Sequence, residues 1–339
     1  MTKETSTKIL LLFDKNRGHQ LQLIALAESL SAMMPIEYEM VRPGYGWLAK
    51  LPVWSRRPWF SGLKNFSSKL DRVDMIFSAG HITARPALFL KNRLRATKVV
   101  HLLSPNGGGR FFDLLIRPFH ECKKNMPANM MAVMGGLSKW RDKNLLDIHA
   151  RAKNLVEKKI PNLDNKKSKI GVLLGGNSRL QVFNKKTTDG LLQELNILAK
   201  NNFLFITPSS RTPSAVRLRL QKEFSFHSHV WLDDGRDNNV YGMILAYSDF
   251  FIATNDSINM MTECLLTGKG VFLYPLPYRN FLSVGWQLKK FLRHKKFLNI
   301  IKDNFSAMVY EQKNIAPMAV VKKNIINSDK VSELIKKWW

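Results

Sequence analysis

Thr254-Asn255-Asp256-Ser257-Ile258-Asn259-Met260-Met261-Thr262-Glu263 carries the densest chemical pattern in the chain. An apolar run ends at Thr254, Asp256 or Ser257 stands where a helix cap belongs, and Glu263 falls further along that helix. Unpaired N–H groups and the positive dipole end of such a helix attract a diphosphate. A carboxylate one to two turns on can accept both hydroxyls of a ribose. Two earlier runs end in the same style. Gly175-Gly176-Asn177-Ser178 lets a diphosphate approach backbone N–H groups. Ser209-Ser210-Arg211-Thr212-Pro213 offers hydroxyls, a cation and a helix-initiating proline. Three anion-binding strand ends in one half predict a nucleotide site from Gly175, Gly176, Asn177, Ser209, Ser210, Arg211, Thr212, Asp256, Ser257, Asn259, Met260 and Glu263. The plain alternative is a capped helix with a polar face.

The first half holds acid–base chemistry instead. Asp14-Lys15-Asn16-Arg17-Gly18-His19 separates an apolar run from an amphipathic one. In open α/β sheets ligands bind beyond the carboxyl ends of strands, so this turn is expected at a ligand. Asp14 could take a proton from an acceptor hydroxyl, and His19 could act as base or phosphate donor. Otherwise Asp14 caps the helix and His19 packs locally. Asn106-Gly107-Gly108-Gly109-Arg110 is a cationic loop that suits an acceptor or phosphate, the alternative being a plain surface loop, since no helix clearly starts behind it. His120, beside Glu121, is the reserve catalytic candidate.

These motifs need strands to carry them, and the apolar pattern supplies the strands. Ile9–Phe13, Val73–Ser78, Lys98–Leu103 and Leu114–Arg117 read as strands, with helices over Leu21–Met34 and Pro86–Leu94. After a polar stretch the rhythm restarts. Strands are expected at Lys169–Leu174, Phe203–Thr207, His229–Leu232, Phe250–Thr254 and Gly270–Leu273. Helices are expected at Thr187–Lys200, Ser214–Phe224, Val240–Ala246 and Ser257–Leu266, and the remainder is expected to be helical and basic. Alternating strands and helices predict parallel sheets. The expected fold is α/β and GT-B-like, two Rossmann-like domains with parallel sheets facing across a cleft. Residues 1–155 form the acceptor-side domain, 156–168 a linker, 169–315 the nucleotide-sugar-binding domain and 316–339 a helical tail.

Charge narrows the partners. The 339 residues contain 53 Lys and Arg against 26 Asp and Glu, a formal +27. The excess is spread over both halves, which favours anionic small molecules and anionic membrane. No zinc finger, basic zipper or aromatic RNA-binding strand accompanies it, so nucleic acid is not an expected partner. Residues 44–63 mix Trp47, Trp54 and Trp59 with Lys50, Arg56 and Arg57. That mixture fits a membrane-interface patch (Trp47, Trp54, Arg56, Arg57, Trp59), the plain alternative being a core-packed helix and loop. No apolar run reaches the roughly 18 to 20 residues of a spanning helix, and no signal peptide is evident, so a cytoplasmic, peripheral location is expected. Two distant cysteines support no metal site or disulfide framework.

The motifs together resemble the mitochondrial-fission "elongated mitochondria" family, from about residue 8 to about residue 280. Asp14-x-x-x-Gly18-His19-x-x-Gln22 is similar to the family's first turn, with Phe13, Lys15 and Leu21 departing from its usual residues. The stretch Ala79-Gly80-His81-Ile82-Thr83-Ala84-Arg85-Pro86 resembles a family segment that usually has two arginines at His81 and Ile82. Phe112-Asp113-Leu114, Pro118 and His120 resemble the next, with Glu121 in place of Asp. Gly175-Gly176, Ser209-x-Arg211-Thr212-Pro213 and Asp256-Ser257-x-x-Met260-x-x-Glu263 match well. The resemblance implies a GT-B, metal-independent glycosyltransferase with no bound cofactor, taking a nucleotide sugar. The acceptor or phosphate side is expected at Arg17, Gly18, Gln22, Gly80, Arg85 and Asn106. The expected acceptor is lipid-linked or a cell-envelope glycan at the inner membrane surface. A sugar-nucleotide epimerase and a non-enzymatic membrane adaptor are the alternatives.

Overall fold

The computed structural model describes residues 6–42, 44–45, 49, 53, 63–64, 68–95, 98–122, 125–140, 156, 160, 163, 167–235, 240–279, 285–304, 307–309 and 328–338. Trp47, Trp54, Arg56, Arg57 and Trp59 lie outside them, as does most of the expected 156–168 linker. The chain divides into two compact units, Met1–Lys139 with Ile325–Trp339, and Trp140–Asn324. The expected tail of 316–339 therefore divides, its last residues belonging to the first unit.

In the first unit the strands are β1 (Thr7–Leu12), β2 (Ile36–Val41), β5 (Met75–Ala79), β6 (Lys98–Leu102), β7 (Leu114–Pro118) and β8 (Met130–Val133). They form one parallel sheet in the order β2-β1-β5-β6-β7-β8. A separate antiparallel pair joins β3 (Gly44–Tyr45) to β4 (Leu63–Lys64). The apolar run of β1 buries both faces of the sheet, as parallel strands require. Ile9 and Leu11 face helix α1 (Arg17–Ser31), through Leu23, Leu26 and Leu30. Leu10 and Leu12 face helix α2 (His81–Arg93), through Ala84, Ala87 and Leu90. Helix α8 (Ser328–Lys336) returns to the α1 side, where Val331 and Ile335 are fully buried and Asp329 accepts the Ser29 hydroxyl at 2.8 Å.

The second unit holds β9 (Lys169–Leu174), β10 (Phe203–Pro208), β11 (Val230–Leu232), β12 (Phe250–Thr254), β13 (Gly270–Tyr274) and β14 (Ala307–Val309). All pair in parallel, in the order β11-β10-β9-β12-β13-β14. Counted within the unit this is 3-2-1-4-5-6, the doubly wound Rossmann order. Its helices are α3 (Lys185–Ala199), α4 (Ser214–Phe224), α5 (Val240–Tyr247), α6 (Ile258–Leu266) and α7 (Gly285–Asn304). Ile170, Val172 and Leu174 of β9 pack with Leu191 and Leu195 of α3 and Val216 and Leu220 of α4.

Further expectations change here. Helix α2 begins at His81, not Pro86, with the proline inside it. The stretch after α7 expected to be helical contains strand β14. Among the described residues no helix is long and apolar enough to cross a membrane.

Candidate functional site

Strand order turns scattered strand-end motifs into two places. A doubly wound sheet binds ligands beyond the carboxyl ends of its strands, where the winding direction reverses. In the second unit that switch lies between β9 and β12. Gly175 and Gly176 follow β9, while Asn255, Asp256 and Ser257 follow β12. In the first unit the switch lies between β1 and β5. Asp14 to His19 follow the one and Gly80 follows the other.

At the second-unit switch Asp256 is the hub. Its side chain has no exposed surface. Oδ2 accepts from the Gly176 N–H at 3.1 Å and pairs with Arg211 Nη2 at 2.8 Å; Oδ1 accepts from the Thr254 hydroxyl at 2.7 Å. Thr254 Oγ1 in turn accepts from the Gly175 N–H at 2.7 Å. Glycine is required beneath this carboxylate, because a Cβ on Gly175 would lie 2.5 Å from Asp256 Cγ. A Cβ on Gly176 would collide with the backbone of Arg211 and Thr212. Asp256 was expected as a possible helix cap; the structure turns its side chain back to β9 instead.

Ser257 occupies the N-cap position of α6, and its side chain makes no capping bond. The first N–H groups of α6 therefore keep their donor capacity and positive potential. Arg211, with a side chain 40% exposed, rises beside them on the loop after β10. That loop is braced from beneath. Thr212 is buried and donates to the Leu174 and Gly175 carbonyls. Arg217 donates to the carbonyls of Pro208, Ser209 and Thr212. Ser209 Oγ accepts from the Arg211 N–H at 3.3 Å, and Ser210 is exposed. Asn177 is exposed and its Oδ1 accepts from Phe183 N–H; Asn259 is exposed, whereas Met260 is buried in the core. Glu263 accepts the Tyr241 hydroxyl at 2.6 Å. Burial, with the Glu263 carboxylate second, raises the Tyr241 hydroxyl well above its usual range.

Behind the same loop lies a network that sequence pattern did not single out. Asn255 Oδ1 accepts from Gln181 Nε2 at 2.6 Å and Leu276 N–H at 2.9 Å. His294 of α7 donates from Nε2 to the Asn255 carbonyl at 2.7 Å, and its Nδ1 accepts the Tyr278 hydroxyl at 3.0 Å.

At the first-unit switch Asp14 is 5% exposed. Its Oδ2 meets His19 Nδ1 at 2.9 Å and its Oδ1 accepts from Asn16 N–H at 2.8 Å. Asn16 Nδ2 lies 3.2 Å from His19 Nε2. A neutral imidazole carrying its proton on Nδ1 satisfies both partners, leaving Nε2 as the basic nitrogen. Asp14 thus holds the His19 ring at Nδ1. The ring lies on Gly80, whose φ is +77° and whose added Cβ would stand 2.5 Å from His19 Cε1. Beneath, His101 is fully buried, stacked on Phe112 at 4.6 Å and joined through Nδ1 to Ser78 Oγ at 2.8 Å. Its Nε2 has no partner among the described residues, and burial, then the neighbouring His19, lowers its pKa to about 3.

The other first-unit candidates separate. Arg17 is exposed at the start of α1, and Gly18 donates its N–H to Asn16 Oδ1. Gln22 is buried, bridging the Gly18 carbonyl and the Leu137 N–H, so its amide is spent on packing. Arg85 is 7% exposed within α2 and offers no open cation. Asn106 is exposed with φ +59°, leading a left-handed run through Gly107 and Gly108. His120 is buried after β7, separated from β1 by β5 and β6, and so does not join Asp14 and His19.

Known proteins share this architecture. UDP-GlcNAc 2-epimerase from Neisseria meningitidis, solved bound to UDP-GlcNAc, superposes with a TM-score of 0.53 at 13% identity, over 98% of this chain and 99% of that one. UDP-GlcNAc 2-epimerase from Methanocaldococcus jannaschii gives 0.50 at 10% identity, over 98% and 99%. Identities this low establish the fold, which is GT-B-like. By sequence, the uncharacterized protein RP120 of Rickettsia prowazekii is 27% identical, covering 95% of this chain and 96% of its own. Mitochondrial fission protein ELM1 of Arabidopsis thaliana is 36% identical over 89 residues, 26% of this chain and 20% of that protein. Residues 17–318 match the family described as Mitochondrial fission ELM1, and the chain belongs to that family.

Proposed function

We propose that this protein is a metal-independent glycosyltransferase that moves a sugar from a nucleoside-diphosphate donor to a lipid-linked or cell-envelope glycan acceptor, working as a peripheral protein on the cytoplasmic face of a membrane. One observation carries the donor half: Arg211, fixed by buried Asp256, stands at the second unit's switch point beside an α6 N-terminus with no side-chain cap. A guanidinium and a helix dipole together neutralise a leaving diphosphate without a bound cation. Gly175 and Gly176 are buried with their N–H groups given to Thr254 and Asp256, so they seat the Asp256 carboxylate that holds Arg211 rather than contact phosphate themselves. Glu263, already holding the Tyr241 hydroxyl, is the carboxylate for ribose. In the first unit His19 is the general base, acting through Nε2, with Asp14 as its orienting carboxylate.

A second reading, a sugar-nucleotide epimerase, is favoured by the likeness to epimerases, one of them solved with UDP-GlcNAc. Both readings require nucleotide binding and part on the product. The test is a thermal-shift screen with UDP, GDP, CMP and ADP, repeated on Arg211→Ala, followed by incubation with the matching labelled sugar nucleotide and membrane extract. Stabilisation by one nucleotide and transfer of label to an extractable glycolipid or glycan support the proposal. Conversion of the free sugar nucleotide to an isomer selects the epimerase. No stabilisation by any of the four refutes both.

A further inference from the structure

Helix α7 carries six Lys or Arg against one Asp, and it is firmly seated on one side. His294, Phe297 and Ile301 are buried, and His294 is bonded to both the Asn255 carbonyl and Tyr278. At 100° per residue those three positions point in one direction, and the opposite direction belongs to Leu288 and Leu292. Both leucines are more than half exposed, at 54% and 56%, one helical turn apart. Lys289 and Lys296 flank them on one side, Lys295 and Lys302 on the other, and all four are exposed. Lys295 lies over the Phe291 ring at 4.8 Å. Single exposed leucines need no explanation, but a leucine pair inside a frame of lysines on a rigid helix is a different pattern.

We propose that this outer face of α7 docks on an anionic lipid surface, with Leu288 and Leu292 entering the headgroup boundary and the lysines pairing with lipid phosphates. Charge decides the occupant: the helix is strongly cationic and so is the whole chain, at +27, which opposes a second copy of itself. The inner face of the helix holds the loop that leads into α6, so docking places the lipid surface beside the proposed donor site. The proposal deepens the membrane side of the function above and rests on it only for purpose; lipid binding stands or falls alone.

The test is flotation of the full chain with vesicles of phosphatidylcholine alone and of equal parts phosphatidylcholine and phosphatidylglycerol. The wild type is expected to float with the anionic vesicles and to lose this at high salt. Leu288→Ser with Leu292→Ser, and separately Lys289→Glu with Lys295→Glu, should each lower partitioning at least about tenfold. Unchanged melting and unchanged nucleotide binding in these variants show that only docking was lost. Equal flotation of both variants and wild type overturns the proposal, as does equal binding to neutral vesicles. If the leucine variant instead turns a dimer into a monomer in sedimentation, the face is a self-interface and the lipid reading is wrong. Loss of nucleotide binding in the wild type would sink the donor-site reading without touching this one.

Discussion

Gly175→Ala tests the hub at the second-unit switch without removing a charge. Gly175 is not among the residues with positive φ, so alanine suits its backbone and only the added Cβ acts. That Cβ would stand 2.5 Å from Asp256 Cγ, about 1 Å inside ordinary carbon contact. Relief requires the carboxylate to move by about that 1 Å, which stretches hydrogen bonds of 2.7 to 3.1 Å beyond the range in which they count. The bonds from Thr254 and Gly176 are buried and charge-assisted, at roughly 1.5 to 3 kcal/mol each. The Arg211 pair adds little, because a guanidinium 40% exposed finds water instead. The expected destabilisation is therefore about 3 to 5 kcal/mol. Asp256→Ala should cost a similar amount, since it strands the same donors. In the double variant the clash has no partner, so the total should stay near that of Asp256→Ala alone, a coupling of about 3 kcal/mol. Equilibrium urea unfolding of the full chain by circular dichroism gives these values, with hydrogen exchange of β9 and β12 peptides assigning the transition to the second unit. A cost under about 1 kcal/mol for Gly175→Ala, or additivity within about 0.5 kcal/mol, would refute the account.

Further expectations concern both switch points. Arg211→Ala should weaken nucleoside-diphosphate binding by about 1.5 to 3 kcal/mol in calorimetry, the range for hydrogen bonds to charged groups, and unchanged affinity would remove it from the site. His19→Gln should lower transfer about 10²- to 10⁴-fold with nucleotide affinity intact, whereas normal turnover would end its role as base. Gly80→Ala should reproduce the loss, because its Cβ displaces the His19 ring and its backbone is left-handed; wild-type rates would show that the ring need not lie there. His101 is neutral when folded until about pH 3, while in the unfolded chain it binds a proton near pH 6.5. The unfolded state then holds more protons between those values, so stability falls as pH drops through 6.5 and levels off near 3, by on the order of 5 kcal/mol in all. His101→Asn should flatten that slope in unfolding at stepped pH, and an unchanged slope would assign acid sensitivity elsewhere.

Elements that satisfy their own local pattern were readable. β9, β12 and α4 have the expected bounds, because a continuous apolar run, or a helix opened by Pro213, needs no distant partner to be recognised. β2 escaped because Glu37 and Glu39 interrupt its apolar pattern at the sheet edge, and β8 is four residues long. Helix α2 was started late because Pro86 looks like a first-turn proline, yet His81 to Arg85 precede it within the helix. The site residues split along the same line. Gly175, Gly176, Arg211 and Asp256 stood out as chemistry, but their joint role is closed by contacts across 80 residues that no local window contains. Asp256 therefore looked like a cap when its side chain braces the turn after β9, and the bond that ties Asp14 to the His19 ring was not legible in their spacing. Ser78 and His101 were hidden inside strand runs, where their side-chain types suggested nothing beyond packing.

Strand order is the missing quantity in each case. A list of strand-end motifs becomes a site only when two of them flank the same reversal of winding. In the second unit the first and fourth strands become neighbours, in the first unit the first and third strands of its large sheet, β1 and β5. Those adjacencies bring Gly175 under Asp256 and Gly80 under His19, and they leave His120, the reserve catalytic candidate, after β7 with β5 and β6 between it and β1. The two units use the same device, a glycine that admits a charged or polar ring or carboxylate from the neighbouring strand end. The second unit fixes a cation beside helix N–H donors, and the first fixes an imidazole by a buried carboxylate. The proposed anion site and the proposed base are different answers to one topology, and on that proposal the chemistry follows from the side chains at the reversal and not from the fold that both units share.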